Sequence, residues 1–216
     1  MPTRPTPRSH RIFLAPPVVR AAFTQSALAT ADTLEGDLGA RIRAAVPPES
    51  LAQIVNTSRL NWLAADLDMD VTEAVTQVLG REQSAHFWRG SLLDTMETPL
   101  LKPLVDGAIA IFGLAPSNLL KWAPRIWEAI YRNCGTMTVF AGDTPTTALV
   151  AYESIAPALR RSPDFIEALR ASFETLFVLC GTQGEVVVEE MDLVRARAVY
   201  AFSWATRLVG DAPRRG

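Results

Sequence analysis

Apolar positions along this chain recur at helical spacing over roughly the first two-thirds and at two-residue spacing afterwards, with the change near Gly135. Asp70 precedes Val71, Val75, Val78 and Leu79, Glu73 stands where the reciprocal partner of a capping box belongs, and Gly80 supplies the stop. Together they predict one helix between Asp70 and Gly80. Ala85, Trp88, Leu92 and Met96 form the next stripe. Thr98 and Pro99 then read as an N-cap followed by proline at the first helical position. Leu101, Val105, Ala108 and Phe112 carry that helix to Gly113. From Pro116 to Asn133 the pattern is helical again through Leu119, Leu120, Trp127, Ile130 and Tyr131, and Pro124 is expected to kink or divide it.

Beyond Gly135, Thr136–Phe140 and Thr147–Tyr152 read as strands around an Ala-Gly-Asp-Thr-Pro turn, which predicts a hairpin. Ser162-Pro163-Asp164 is a helix start that leads through Phe165, Leu169, Phe173 and Leu176 to Gly181. Glu185–Glu189 and Arg197–Trp204 form a second predicted hairpin, with Ala198, Tyr200, Phe202 and Trp204 on one face. Cys134-Gly135-Thr136 and Cys180-Gly181-Thr182 each stand between a predicted helix and a hairpin. The expected fold is therefore α+β: a helical N-terminal two-thirds, then hairpin–helix–hairpin forming a four-stranded antiparallel sheet packed by helices. One domain is expected over residues 18–209, between flexible tails at 1–17 and 210–216.

Composition narrows the function classes. The chain has 216 residues, 49% of them hydrophobic and 20% charged, enough apolar content for a substantial core. A formal net charge of −2 gives no global pull toward nucleic acid or an anionic membrane, so no nucleic-acid partner is expected. No apolar run approaches the ~20 residues of a membrane span. Ile12–Val19 follows basic residues like a signal peptide, but Pro16 and Pro17 interrupt its apolar core. Two cysteines make no disulfide framework in a chain of this length, and the cytoplasm is the expected location.

The motifs of nucleotide hydrolases, dinucleotide-binding enzymes and α/β-hydrolases are absent. The only histidines are His10 and His86, and no C-x-x-C or H-E-x-x-H occurs, so neither metal nor cofactor is expected. His86, between Ala85 and Phe87-Trp88, reads as a polar-edge residue beside packing aromatics rather than a haem ligand. Cys134 and Cys180 read as small buried neighbours of helix-ending glycines. Asp66, Asp68 and Asp70 lead into a helix start, where capping and the helix dipole account for them. Glu189 and Glu190 are adjacent on a strand and should point to opposite faces. Glu128 and Arg132 have the i,i+4 spacing of an exposed helical ion pair. Trp122, Trp127, Tyr131, Tyr152, Tyr200, Phe202 and Trp204 span the expected helix–sheet junction, where they fill a core or line an apolar cavity. Of these, Trp122, Trp127, Tyr131, Tyr152, Tyr200 and Trp204 are the candidate ligand-binding residues.

Leu114-Ala115-Pro116-Ser117-Asn118-Leu119-Leu120-Lys121-Trp122-Ala123-Pro124-Arg125 and Tyr131-Arg132-Asn133-Cys134-Gly135 form two conspicuous blocks. With Gly184-Glu185-Val186-Val187-Val188 and Tyr200-Ala201-Phe202-Ser203-Trp204, they resemble an uncharacterised domain family found as many paralogues in myxobacteria. More distantly, helices followed by hairpin–helix–hairpin are similar to vinyl-4-reductase-type and haem-nitric-oxide-binding domains, a resemblance that implies small-molecule sensing. The haem family's pattern is Tyr-x-Ser-x-Arg. Here Tyr152-Glu153-Ser154-Ile155-Ala156 has alanine in place of the arginine that would meet the propionates.

The sequence thus points to a non-enzymatic regulatory or interaction domain, with a small apolar ligand or a protein as partner. An enzyme using carboxylate or cysteine chemistry is the alternative, and a haem-based sensor the further one. Oligomeric state is not encoded in any feature above.

Overall fold

In the computed structural model, which describes residues 15–98 and 101–205, helices surround two antiparallel sheets rather than the single one expected. The chain passes through β1 (Val18–Arg20), α1 (Ala21–Asp32), α2 (Leu38–Ala45), α3 (Pro48–Asn56) and β2 (Trp62–Ala64). The long α4 (Ala65–Met96) follows, then α5 (Lys102–Phe112), α6 (Pro116–Leu120), α7 (Ala123–Ile130) and β3 (Tyr131–Arg132). The hairpin of β4 (Thr136–Ala141) and β5 (Thr147–Glu153) leads through a 3-10 turn to α8 (Asp164–Phe173) and α9 (Thr175–Cys180). A second hairpin closes the described chain, β6 (Gly184–Asp192) and β7 (Arg197–Trp204).

The two hairpins join through their inner strands into one antiparallel sheet of order β4-β5-β7-β6, as the change of period predicts. On its covered face Ala198, Tyr200 and Phe202 are buried and Trp204 is half-buried. Helix α8 packs against both β6 and α4, so the sheet is roofed by helices. Glu190 pairs with Arg197 across the hairpin, and a bulge between Val188 and Glu190 breaks the simple alternation expected for Glu189 and Glu190.

The second sheet, β2-β1-β3, was not expected. Its strands are two or three residues long, too short for alternation to show in a sequence. Val18 lies opposite Ala64 on one side and Arg132 on the other, which makes β1 the central strand of this sheet. The run expected as helix to Asn133 therefore ends at Ile130. Arg132 lies on a strand, and its guanidinium sits 4.1 Å from the Trp62 ring centroid instead of pairing along a helix with Glu128. Within the expected N-terminal tail, the Pro17 carbonyl accepts from the Ala65 N–H (3.1 Å) and the Pro16 carbonyl from Asn133 Nδ2 (3.2 Å). The rest of both expected tails, and Val209, lie outside the described residues.

Helix α4 differs most from its predicted form. It begins at Ala65, directly after β2, with Ala64 extended at φ −60° and ψ 139° as its cap, so Asp70 lies inside the helix. Glu73 is no capping-box partner; it accepts Arg161 Nε and Nη2 at 3.0 and 2.9 Å. Gly80 does break the helix, at φ 74° and ψ 170°, yet the chain resumes helical geometry at once. Residues with a side chain occupy that region only at a cost of about 1–3 kcal/mol, so glycine fixes the bend. The helix is thus two arms, one carrying Asp68 and the other Trp88.

Elsewhere the punctuation was legible. Pro124 opens α7 and so separates it from α6, and Ser162 Oγ accepts the Asp164 N–H (3.1 Å) at the start of α8. Pro99 lies outside the described residues; α5 begins at Lys102 with Pro103 in its first turn. The single helix expected from Asp164 to Gly181 is divided into α8 and α9 at Glu174.

Candidate functional site

Between the helices and the larger sheet lies a cavity of about 130 Å³. Both arms of α4 contribute to its wall, together with α1, α5, α6, α7, α8, α9 and Met137 of β4. The lining is overwhelmingly apolar and rich in aromatic rings. Trp127 stacks on Tyr131 with centroids 4.2 Å apart and planes at 20°, and Phe23 meets Tyr131 edge-on at 5.7 Å. Helix α7 presents Trp127 inward because its apolar positions fall on one side, where Trp127 and Ile130 are buried.

One polar cluster interrupts this lining. Asp68, on the first arm of α4, is 1% exposed and lines the cavity. Its Oδ1 accepts Thr24 Oγ1 from α1 at 2.7 Å, and its Oδ2 accepts the Tyr131 hydroxyl from β3 at 2.6 Å. Burial pushes the Asp68 carboxyl above its ordinary value, and the two hydrogen bonds offset that only in part. Tyr131 is held well above its ordinary value, first by burial and then by the Asp68 charge. Trp88, on the second arm, also lines the cavity, and its indole N–H is buried without a hydrogen-bond partner.

Of the six candidate ligand-binding residues, Trp122, Trp127 and Tyr131 come together on the cavity wall. Tyr152, Tyr200 and Trp204 do not line it. Tyr152 meets Trp127 edge-on at 4.9 Å and donates its hydroxyl to the Cys134 carbonyl (2.6 Å). Tyr200 packs edge-on against Phe173 and donates to the Ile166 carbonyl (3.3 Å), while Trp204 packs at the margin of the core. Phe202 likewise packs on Phe173.

Sequence reasoning assigned Asp68 to helix capping and so missed it. The signal was present: Asp68 shares a helical stripe with Val71, Thr72 and Val75, all buried. It stayed hidden because the helix start was placed at Asp70. Asp70 itself accepts Ser50 Oγ at 2.6 Å and Arg161 Nη2 at 2.5 Å, and Asp66 is exposed.

The remaining candidates stand apart. Cys134 is buried beneath β1, and burial with the nearby Asp68 charge pushes its thiol up to about 12. Cys180 is buried at the end of α9. No group of three or more metal-ligating side chains occurs among the described residues. His86 is exposed on α4 and does not line the cavity; His10 lies outside the described residues.

No protein-family model and no curated protein matches the chain. Solved structures do. An unliganded ferrous H-NOX protein from K. algicida is 9% identical over 88% of this chain and 98% of its own, with a TM-score of 0.60. The chain has the H-NOX fold. A variant of the T. tengcongensis H-NOX is 13% identical over 87% of this chain and 98% of its own, at a TM-score of 0.55. An oxygen-binding H-NOX domain related to soluble guanylate cyclases, in its oxygen complex, is 12% identical over 87% and 95%, at 0.56. The likeness to myxobacterial and vinyl-4-reductase-type domains rests on the sequence pattern alone.

The described residues do not fit a histidine-ligated haem in this cavity. No histidine among the described residues reaches its wall, and Ala156 stands where the haem family's pattern has arginine. The volume of about 130 Å³ is also below the ~300 Å³ at which pockets for drug-sized ligands begin.

Proposed function

We propose that this chain is a sensor domain that binds a small molecule in the cavity between its helices and its larger sheet. The cavity itself carries the reading. Protein interiors close-pack with few voids larger than a water molecule, whereas here about 130 Å³ stays open among aromatic side chains. An engineered apolar cavity of ~150 Å³ in another protein takes up benzene, so this space suits one aromatic ring. The fold adds support, because the H-NOX neighbours include an oxygen-binding domain in its oxygen complex. A cysteine-based enzyme is the weaker alternative, since a thiol held near 12 is neutral at physiological pH and is no nucleophile.

A haem-based sensor is the second reading, and the fold favours it over an interaction domain that takes no ligand. Two measurements on the purified protein decide between the readings. In the first, tryptophan emission is followed during titration with single-ring compounds; Trp88, Trp122 and Trp127 all line the cavity, so a saturable change is expected. In the second, the protein is reconstituted with haem and its absorbance recorded. A stoichiometric Soret band replaces the first reading by the second, and no response in either measurement removes both.

A further inference from the structure

The cavity holds a carboxylate with no cation beside it. Asp68 is buried and makes no ion pair among the described residues, and its hydrogen bonds come from two neutral hydroxyls, Thr24 and Tyr131. An ionised carboxylate has about four acceptor sites, and these two bonds fill about half of them. The surrounding wall includes Phe23, Trp127 and Phe165, whose rings pack about Tyr131.

We propose that the cavity selects a primary ammonium ion carried on a single aromatic ring, with the ammonium on Asp68 and the ring among the aromatic side chains. The proposal rests on the cavity reading above and names its ligand class. Three physical terms favour this class. Burying a carboxylate without a countercharge is costly, and an ammonium cancels that charge where a neutral donor only hydrogen-bonds to it. Ring faces attract a cation held within about 6 Å of their centroids. The volume of about 130 Å³ is close to that of the engineered cavity that takes up benzene, so it suits a ligand built on a single ring.

The test compares three molecules of nearly equal shape: benzylamine, benzyl alcohol and ethylbenzene. Binding is read by isothermal titration and by tryptophan emission of the full chain. Benzylamine is expected to bind at least about tenfold more tightly than ethylbenzene, the size of a charge-assisted hydrogen bond. Asp68→Asn should remove that preference, so that benzylamine and ethylbenzene bind the variant within about twofold of each other. If Asp68→Asn fails to fold, the parent protein serves instead: its preference for benzylamine over ethylbenzene must fall as the pH is lowered and the Asp68 carboxylate takes up its proton, and a preference that does not change with pH overturns the proposal. Equal binding of benzylamine and ethylbenzene overturns the ammonium proposal and leaves the cavity reading standing. Benzyl alcohol binding as tightly as benzylamine also overturns it, because a neutral donor would then suffice. Binding by none of the three overturns the cavity reading and this proposal with it.

Discussion

The Tyr131 hydroxyl donates to Asp68 Oδ2 across 2.6 Å, tying β3 to the first arm of α4 over 63 positions of sequence. The bond is buried, so its loss leaves Asp68 Oδ2 without the donor that Tyr131 supplies. Tyr131→Phe is expected to destabilise the fold by about 1–3 kcal/mol, as a lower midpoint at unchanged slope in urea unfolding. A cost near zero would mean that solvent reaches Asp68.

The same carboxylate gives stability a defined pH dependence. Its folded-state value lies above the ordinary 3.8, so the folded state holds this proton more tightly than the unfolded one. The contribution is fully present below 3.8 and is lost as pH rises toward the folded-state value. Asp68→Asn removes this dependence. Its stability relative to the parent should therefore increase with pH across that window, in parallel urea titrations of the two proteins.

Ala168, on α8, lines the cavity, so a larger side chain there probes whether the space is open. Ala168→Leu is expected to leave stability unchanged or raise it by up to about 2 kcal/mol, and to abolish the tryptophan response to single-ring compounds. A loss of about 1–3 kcal/mol would show overpacking of a filled core instead.

Gly135 sits at φ 120° against the Tyr152 strand. A Cβ there would lie 2.6 Å from Tyr152 Cε2 and 2.8 Å from the Glu153 carbonyl oxygen. Backbone cannot yield as a flexible side chain does, and the left-handed φ adds strain. Gly135→Ala should therefore cost at least about 2 kcal/mol, seen as a drop in Tm.

Burial and the Asp68 charge keep Cys134 protonated. Native protein at pH 8 should therefore resist iodoacetamide at Cys134, and the site should react once the protein is unfolded in urea. Mass spectrometry of the Cys134 peptide reads the difference. Rapid native alkylation would restore cysteine chemistry as a candidate.

The larger sheet could be read from the sequence because each hairpin carries its own alternation. Ala198, Tyr200 and Phe202 face one way in a strand long enough to show it, and Pro124 and Ser162 mark helix starts by local geometry. The small sheet could not be read, since Val18–Arg20, Trp62–Ala64 and Tyr131–Arg132 exist only through pairing between distant segments. That failure concealed the site. Without β2 the start of α4 fell at Asp70, and Asp68 was counted among capping residues. Of the six candidate ligand-binding residues, Trp122, Trp127 and Tyr131 reach the cavity wall because they follow the inward face of their own segments. Tyr152, Tyr200 and Trp204 share the junction but spend their surface on packing the sheet.

The bend at Gly80 also has a mechanical meaning. At 1.5 Å per residue, a straight helix would hold Asp68 and Trp88 about 30 Å apart, too far to face one small molecule. Folding the rod at a glycine brings both onto the wall of a single chamber. A guest in that chamber would touch both arms at once, so the angle set at Gly80 fixes the width of the space it meets.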